Sequence, residues 1–155
     1  MADPDLRAGW ASFTAKFGTP KPVYYRIKDP QAGIDLVVPL QCYGEYQYRI
    51  TDPALFTVME TRPGEGERNL WKSLVFLLPK VLEHCAEECI PWEELPKHSS
   101  LITKLYLDLI YDEWEACGAI PESVSIQSVF VPFSSIKKLE SLKLNQINVK
   151  KAETD

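Results

Sequence analysis

Glycine is scarce in this chain, and its seven glycines are dispersed along 155 residues. No glycine-rich loop is therefore available to cradle a phosphate, and the GxGxxG, P-loop, GxSxG and HExxH patterns are all missing. Positive charge is in deficit: 17 Lys and Arg stand against 22 Asp and Glu, for a net charge of −5. That balance repels phosphate and removes the electrostatic term behind generic nucleic-acid binding, so no nucleic-acid partner is expected. Long apolar runs are missing too. The longest, Leu74 to Pro79, falls far short of the roughly 20 residues that span a bilayer. Cys42, Cys85, Cys89 and Cys117 form no CxxC pair and match no structural zinc spacing, and no secretory signal is present. No disulfide framework is implied, and a reducing, cytoplasmic setting is expected.

What the chain does contain is the balance of a globular domain: 45% hydrophobic residues, 25% charged residues and all three aromatic types. At this length one core is expected, burying roughly 70% of the unfolded-chain surface.

The clearest local pattern lies between Leu36 and Ile50. Leu36, Val38, Leu40, Cys42, Tyr46, Tyr48 and Ile50 alternate with Gln41, Glu45, Gln47 and Arg49, the period of two that marks a strand with one buried face. Such a length calls for a bend, which Gly44 accommodates most cheaply. Shorter strands are predicted over Ser12–Phe17, over Lys21–Pro30, and over Ser123–Val131 between the fences Pro121 and Pro132. Asp52-Pro53 opens a short helix reaching Met59, and Thr61–Arg68 reads as an exposed loop.

Apolar residues at helical spacing predict a helix from a cap at Asn69 to Ile90, kinked or divided by Pro79. A second helix is predicted over Ser99–Ala116, with Leu101, Ile102, Leu105, Leu109, Ile110 and Trp114 inward and Gly118 as its stop. A last, short helix follows a cap at Ser134 or Ser135, and its lysines Lys137, Lys138, Lys143, Lys150 and Lys151 read as a solvated face. Strands grouped ahead of helices point to an α+β fold, a mainly antiparallel sheet with helices packed on one face.

Candidate chemistry is thin. Cys85 and Cys89 lie one turn apart, but His84 sits about 100° around the helix from Cys85 and no fourth ligand stands at a recognisable spacing, so no metal site is expected. Cys85 and Cys89 continue an apolar stripe, a poor setting for a Cys/His nucleophile pair with His84 or His98. The adjacent carboxylates Glu87-Glu88, Glu93-Glu94 and Asp112-Glu113 point in different directions and suit no paired acid/base role. No catalytic residue, cofactor or small-molecule substrate is expected. Tyr24, Tyr46 and Tyr48 are placed on core faces. Tyr25 and Tyr43, on the opposite parity, are the candidate partner-binding residues, because exposed aromatics are enriched at interfaces.

Several of these stretches together resemble the SPFH superfamily, the stomatin, prohibitin and flotillin relatives, and especially its soluble, virion-core-like branch. The residues that carry the resemblance are Lys16-Phe17-Gly18-Thr19, Val23-Tyr24-Tyr25-Arg26, Val38-Pro39-Leu40, Tyr43-Gly44-Glu45-Tyr46 and Tyr48-Arg49-Ile50-Thr51-Asp52-Pro53 with Phe56. Asp112–Gly118 and the strand Val124–Val131 resemble the family's helix, glycine, strand ending. The resemblance covers residues 16–142, preceded by an N-terminal segment 1–15 and followed by a C-terminal tail 143–155. It implies a non-catalytic, oligomerising scaffold, often membrane-associated, whose partner is itself or another protein. Family members commonly begin with a further strand, often after a membrane anchor, and continue into a long coiled coil. Here a short helix precedes Asp155, so the chain reads as an isolated domain or a shortened relative.

Overall fold

The computed structural model describes residues 12–58 and 65–154, the side chains of residues 57–58 and 146–154 apart. The core is organised around one long strand. β1 (Ser12–Gly18) and β2 (Val23–Asp29) lead by a turn into β3 (Ile34–Ile50), and β4 (Ala119–Phe130) follows much later in the chain. All three partners pair antiparallel with β3, β1 along Tyr43–Arg49, β2 along Ile34–Leu40 and β4 along Gln41–Ile50. Because β1 and β4 pair with the same stretch, they flank it on opposite edges. β2 takes over from β1 after the link Thr19–Pro22, which is tied down where the Thr19 N–H donates to the Cys42 carbonyl and the Cys42 N–H donates to Thr19 Oγ1.

Where a bend was expected at Gly44, the structure has a register shift between Tyr43 and Gly44 whose extra residue, Gln127, lies on β4. Gly44 is dictated by space: a Cβ there would stand 2.1 Å from the Ser125 carbonyl oxygen and 2.7 Å from the Phe17 ring. A second shift, at Gln47/Tyr48, skips Glu122 and lies beside Pro121, so this proline sits inside β4 at an irregularity instead of fencing it. Pro39 occupies the stretch where, among the described residues, β3 has β2 alone as strand partner, a position that tolerates a missing N–H.

Asp52 caps α1 (Pro53–Val58), its Oδ1 accepting the Leu55 N–H at 3.0 Å. α2 (Glu65–Glu87) begins earlier than predicted: Glu65–Arg68 form its first turn and Asn69 lies inside it, while residues 61–64 of the predicted loop and Met59 lie outside the described residues. Acidic Glu65 and Glu67 complement the dipole at this end. Pro79 does not divide α2, since it is exposed and the carbonyl it leaves without a donor can be hydrated. A 3-10 turn (Trp92–Lys97) leads to α3 (Ser99–Ala116), which ends as predicted, with Gly118 at φ 86° just beyond the cap residue Cys117.

α4 (Phe133–Thr154) is the largest departure. It starts on Pro132, whose carbonyl accepts the N–H groups of Ser135 and Ile136, and not on a serine cap. It is not short: 22 residues make about 33 Å of helix, running through the expected boundary at residue 142 into the tail. No Gly or Pro follows Pro132, so nothing local stops it.

The helices pack against the sheet, α2 meeting β1 and β2, and α3 meeting β4. The core joins Val38, Leu40, Cys42, Tyr46 and Tyr48 of β3 to Leu74, Leu78 and Leu82 of α2 and to Ile102, Tyr106, Ile110 and Trp114 of α3. The Tyr106 hydroxyl donates to the Leu74 carbonyl at 2.8 Å, and Trp114 Nε1 donates to Ser73 Oγ at 2.9 Å, so both polar atoms are satisfied where the two helices meet. Tyr106 is an inward residue that the sequence reading passed over. Leu101, Leu105 and Leu109 flank the buried row, half-exposed.

Candidate functional site

The strand parity assigned to the two tyrosines of β2 is reversed in the structure. Tyr25 pairs with Val38, a core position, and is 1% exposed, with its hydroxyl donating to the Ile90 carbonyl. Burial drives its phenol pKa well above the ordinary value. Tyr25 is thus an internal strut between β2 and the end of α2, and cannot offer its ring to a partner. Tyr24, expected inside, is 73% exposed. The signal for this was present: Val23, Tyr25 and Ile27 are apolar on one parity, while Arg26 and Lys28 share the other with Tyr24.

Tyr43 is 56% exposed, on the outer face of the sheet. A Cβ at Gly18, its register partner, would stand 2.7 Å from the Tyr43 ring, so glycine lets that ring lie against the strand. Further along the same face stand Phe130, 60% exposed and opposite Gln41, then Tyr24, opposite Pro39, and exposed Val37 two residues beyond Pro39 on β3. These side chains come from three strands and share one face only through sheet register. Val37 and Phe130 were not singled out from the sequence.

Several polar side chains elsewhere on this face pair with one another. The guanidinium of Arg26 grips Asp35 through two hydrogen bonds, of 2.7 and 2.5 Å, and holds that carboxyl below the usual carboxylate range. Glu122 accepts from Ser12 at 2.5 Å and from Arg49 at 3.2 Å, bridging the two strands that flank β3.

Several clefts flank the sheet, among them one of about 390 Å³ lined by Tyr43, Lys16, Trp71, Gln127 and Ser128 and the two that follow. One of about 520 Å³ lies between the β2–β3 turn, the segment after α2, and α4, lined by Ile34, Cys89, Trp92 and Leu139 with Lys28 and Lys143. The other, about 270 Å³, runs between Tyr24, Arg26 and Val37 of the sheet and Pro79, Glu83 and Glu87 of α2. Cys89 is exposed, contrary to its predicted place on an apolar stripe, because α2 has ended and Cys89 adopts φ 58° beyond its last turn. Its neighbour Cys85 is buried. His84 approaches Glu88 at 3.7 Å and lines none of these clefts. Among the described residues, no three His, Cys, Asp or Glu side chains gather as metal ligands, and no helix is long and apolar enough to cross a membrane.

The molecule is thus an α+β domain with aromatic side chains exposed on the outer face of its sheet. Neither a family model nor a curated protein sequence matches the chain.

Proposed function

We propose that this chain is a non-catalytic assembly domain of SPFH-like type, which self-associates and works as a scaffold in the cytoplasm, with at most peripheral membrane contact. The observation that supports this most is the cluster of Tyr24, Val37, Tyr43 and Phe130 on the outer sheet face. Single exposed apolar residues are ordinary, but a group gathered from three strands is the kind of patch that partners cover. The free cysteines Cys42, Cys85, Cys89 and Cys117 fit a reducing compartment. Light scattering coupled to size-exclusion chromatography over a wide concentration range, with and without anionic liposomes, tests the reading. A mass well above 17.7 kDa is expected. A monomer at every concentration, indifferent to lipid, defeats it.

A second reading is a monomeric adaptor that takes an extended peptide beside β2, and the cleft between β2 and α2 favours it. In that case amide exchange slows in Val23–Asp29 when the peptide binds, and the protein itself stays monomeric.

A further inference from the structure

The groove beside β2 combines open backbone with unmatched charge. Cys42 exchanges hydrogen bonds with Thr19, which turns the N–H and carbonyl groups of the even-numbered residues of β3 toward the β1 and β2 side. Val38 and Leu36 therefore bond their register partners Tyr25 and Ile27, and the N–H and carbonyl groups of Tyr24, Arg26 and Lys28 point outward. Pro39, opposite Tyr24, agrees with this phase, since its missing N–H falls on the side of β3 away from β2. Among the described residues no hydrogen bond takes up those outward groups. β4 differs, because the Val124 N–H donates to Thr103 Oγ1 at 3.1 Å and the Thr103 hydroxyl donates to the Val124 carbonyl at 2.8 Å. The groove, of about 270 Å³, has Tyr24, Arg26 and Lys28 on its sheet side and Pro79, Glu83 and Glu87 on α2. Arg26 is held by Asp35, whereas Glu83 and Glu87 are exposed and have no cationic partner among the described residues.

We propose that this groove takes an extended segment of another protein that carries Lys or Arg at two alternate positions, added as a strand beside β2 with its basic side chains against α2. The inference rests on the adaptor reading above and names the chemistry of its ligand. An added strand bonds Tyr24, Arg26 and Lys28, so the residues opposite these three share their outer face and the residues between turn toward α2. Positions i and i+2 of a strand lie about 6.6 Å apart, and Glu83 and Glu87, one turn apart on α2, are separated by about 6 Å of rise. Two carboxylates at that spacing match two cations at alternate positions. Lys28 belongs to the outer face with Tyr24 and Arg26, clear of the positions that turn inward. The net charge of −5 also draws a basic segment toward the chain. Charge disfavours a second copy in this place, since pairing β2 with itself sets Arg26 and Lys28 of one copy against those of the other.

The test uses the full chain and capped hexapeptides: Thr-Lys-Val-Lys-Val-Thr, its acidic counterpart Thr-Glu-Val-Glu-Val-Thr and the neutral Thr-Ser-Val-Ser-Val-Thr. In an amide-shift titration the lysine peptide is expected to bind about tenfold or more tighter than the other two, and to slow exchange at the Tyr24, Arg26 and Lys28 amides. Glu83→Lys/Glu87→Lys, at two exposed positions, should keep its circular dichroism and reverse the preference, taking the glutamate peptide over the lysine one. Arg26→Pro deletes an outward N–H while leaving the ladder with β3 in place, and should weaken the lysine peptide about tenfold. Equal binding of all the peptides with the same amides protected, or a charge-reversed variant that still prefers lysine, overturns the charge selection and leaves the adaptor reading standing. Binding of no peptide at about 1 mM, protection away from β2, or undiminished binding by Arg26→Pro overturns both. Protection of these amides that grows with protein concentration alone makes a second copy the occupant and overturns the proposal.

Discussion

At the scale of single residues, the cysteines divide by environment. Cys42 lies under the sheet, and burial pushes its thiol up to about 12; burial likewise pushes Cys85 up to about 11, with Glu88 adding to it. In the unfolded chain both thiols titrate near 9, so above that pH the unfolded state releases protons that the folded state retains. Stability should therefore hold below about pH 9 and fall as pH rises toward 12, by up to about 1.4 kcal/mol per pH unit for each thiol. Urea unfolding midpoints between pH 8 and 11 check this, and Cys42→Ala should flatten the slope. A thiol reagent at neutral pH should label the exposed Cys89 well before either buried cysteine. Cys89 is also the one described non-glycine residue with positive φ. Its N–H donates to the Ala86 carbonyl while the Ile90 N–H reaches Cys85, a helix ending that ordinarily uses glycine. Cys89→Gly is expected to raise stability by about 1 kcal/mol, and a denaturation midpoint that stays put or drops would contradict it.

Among the elements, β3 carries the fold, because each of its halves is held by different strands. The close approach of β4 and the Phe17 ring to β3 depends on Gly44. Alanine there collides with backbone at Ser125 and with the ring of Phe17, so Gly44→Ala should cost about 2–3 kcal/mol, read as a lowered urea midpoint with the slope unchanged. Period-two alternation made this strand legible, and Gly44 marked the point where its register with β4 shifts, because both signals are written within a few consecutive residues. The same holds for α3, whose ends at Ser99 and Ala116 fall where spacing and Gly118 set them. The start of α2 was not legible, since Gly and Glu after a proline read locally as loop and their helical state follows from continuity with the packed turns beyond. Nor was the length of α4: its apolar spacing fades after Leu142, yet nothing breaks the helix.

For the whole molecule, the outer sheet face is the feature with functional weight. Tyr43→Ser/Phe130→Ser should lower the apparent mass in light scattering while leaving stability within about 0.5 kcal/mol, because both side chains are already exposed. Unchanged assembly would take this face out of the interface.

The sequence by itself determined the α+β class, the alternation in β3 and the helix Ser99–Ala116, since each depends on neighbours one to four residues apart. Tertiary structure decided which tyrosine of β2 faces the core, that Val37 and Phe130 join Tyr24 and Tyr43 on one surface, and that the Thr103 hydroxyl of α3 takes up the N–H and carbonyl of Val124 in β4. The first two outcomes follow from register between strands up to about ninety residues apart, as with Gln41 and Phe130, and one step of register exchanges the two faces of a strand.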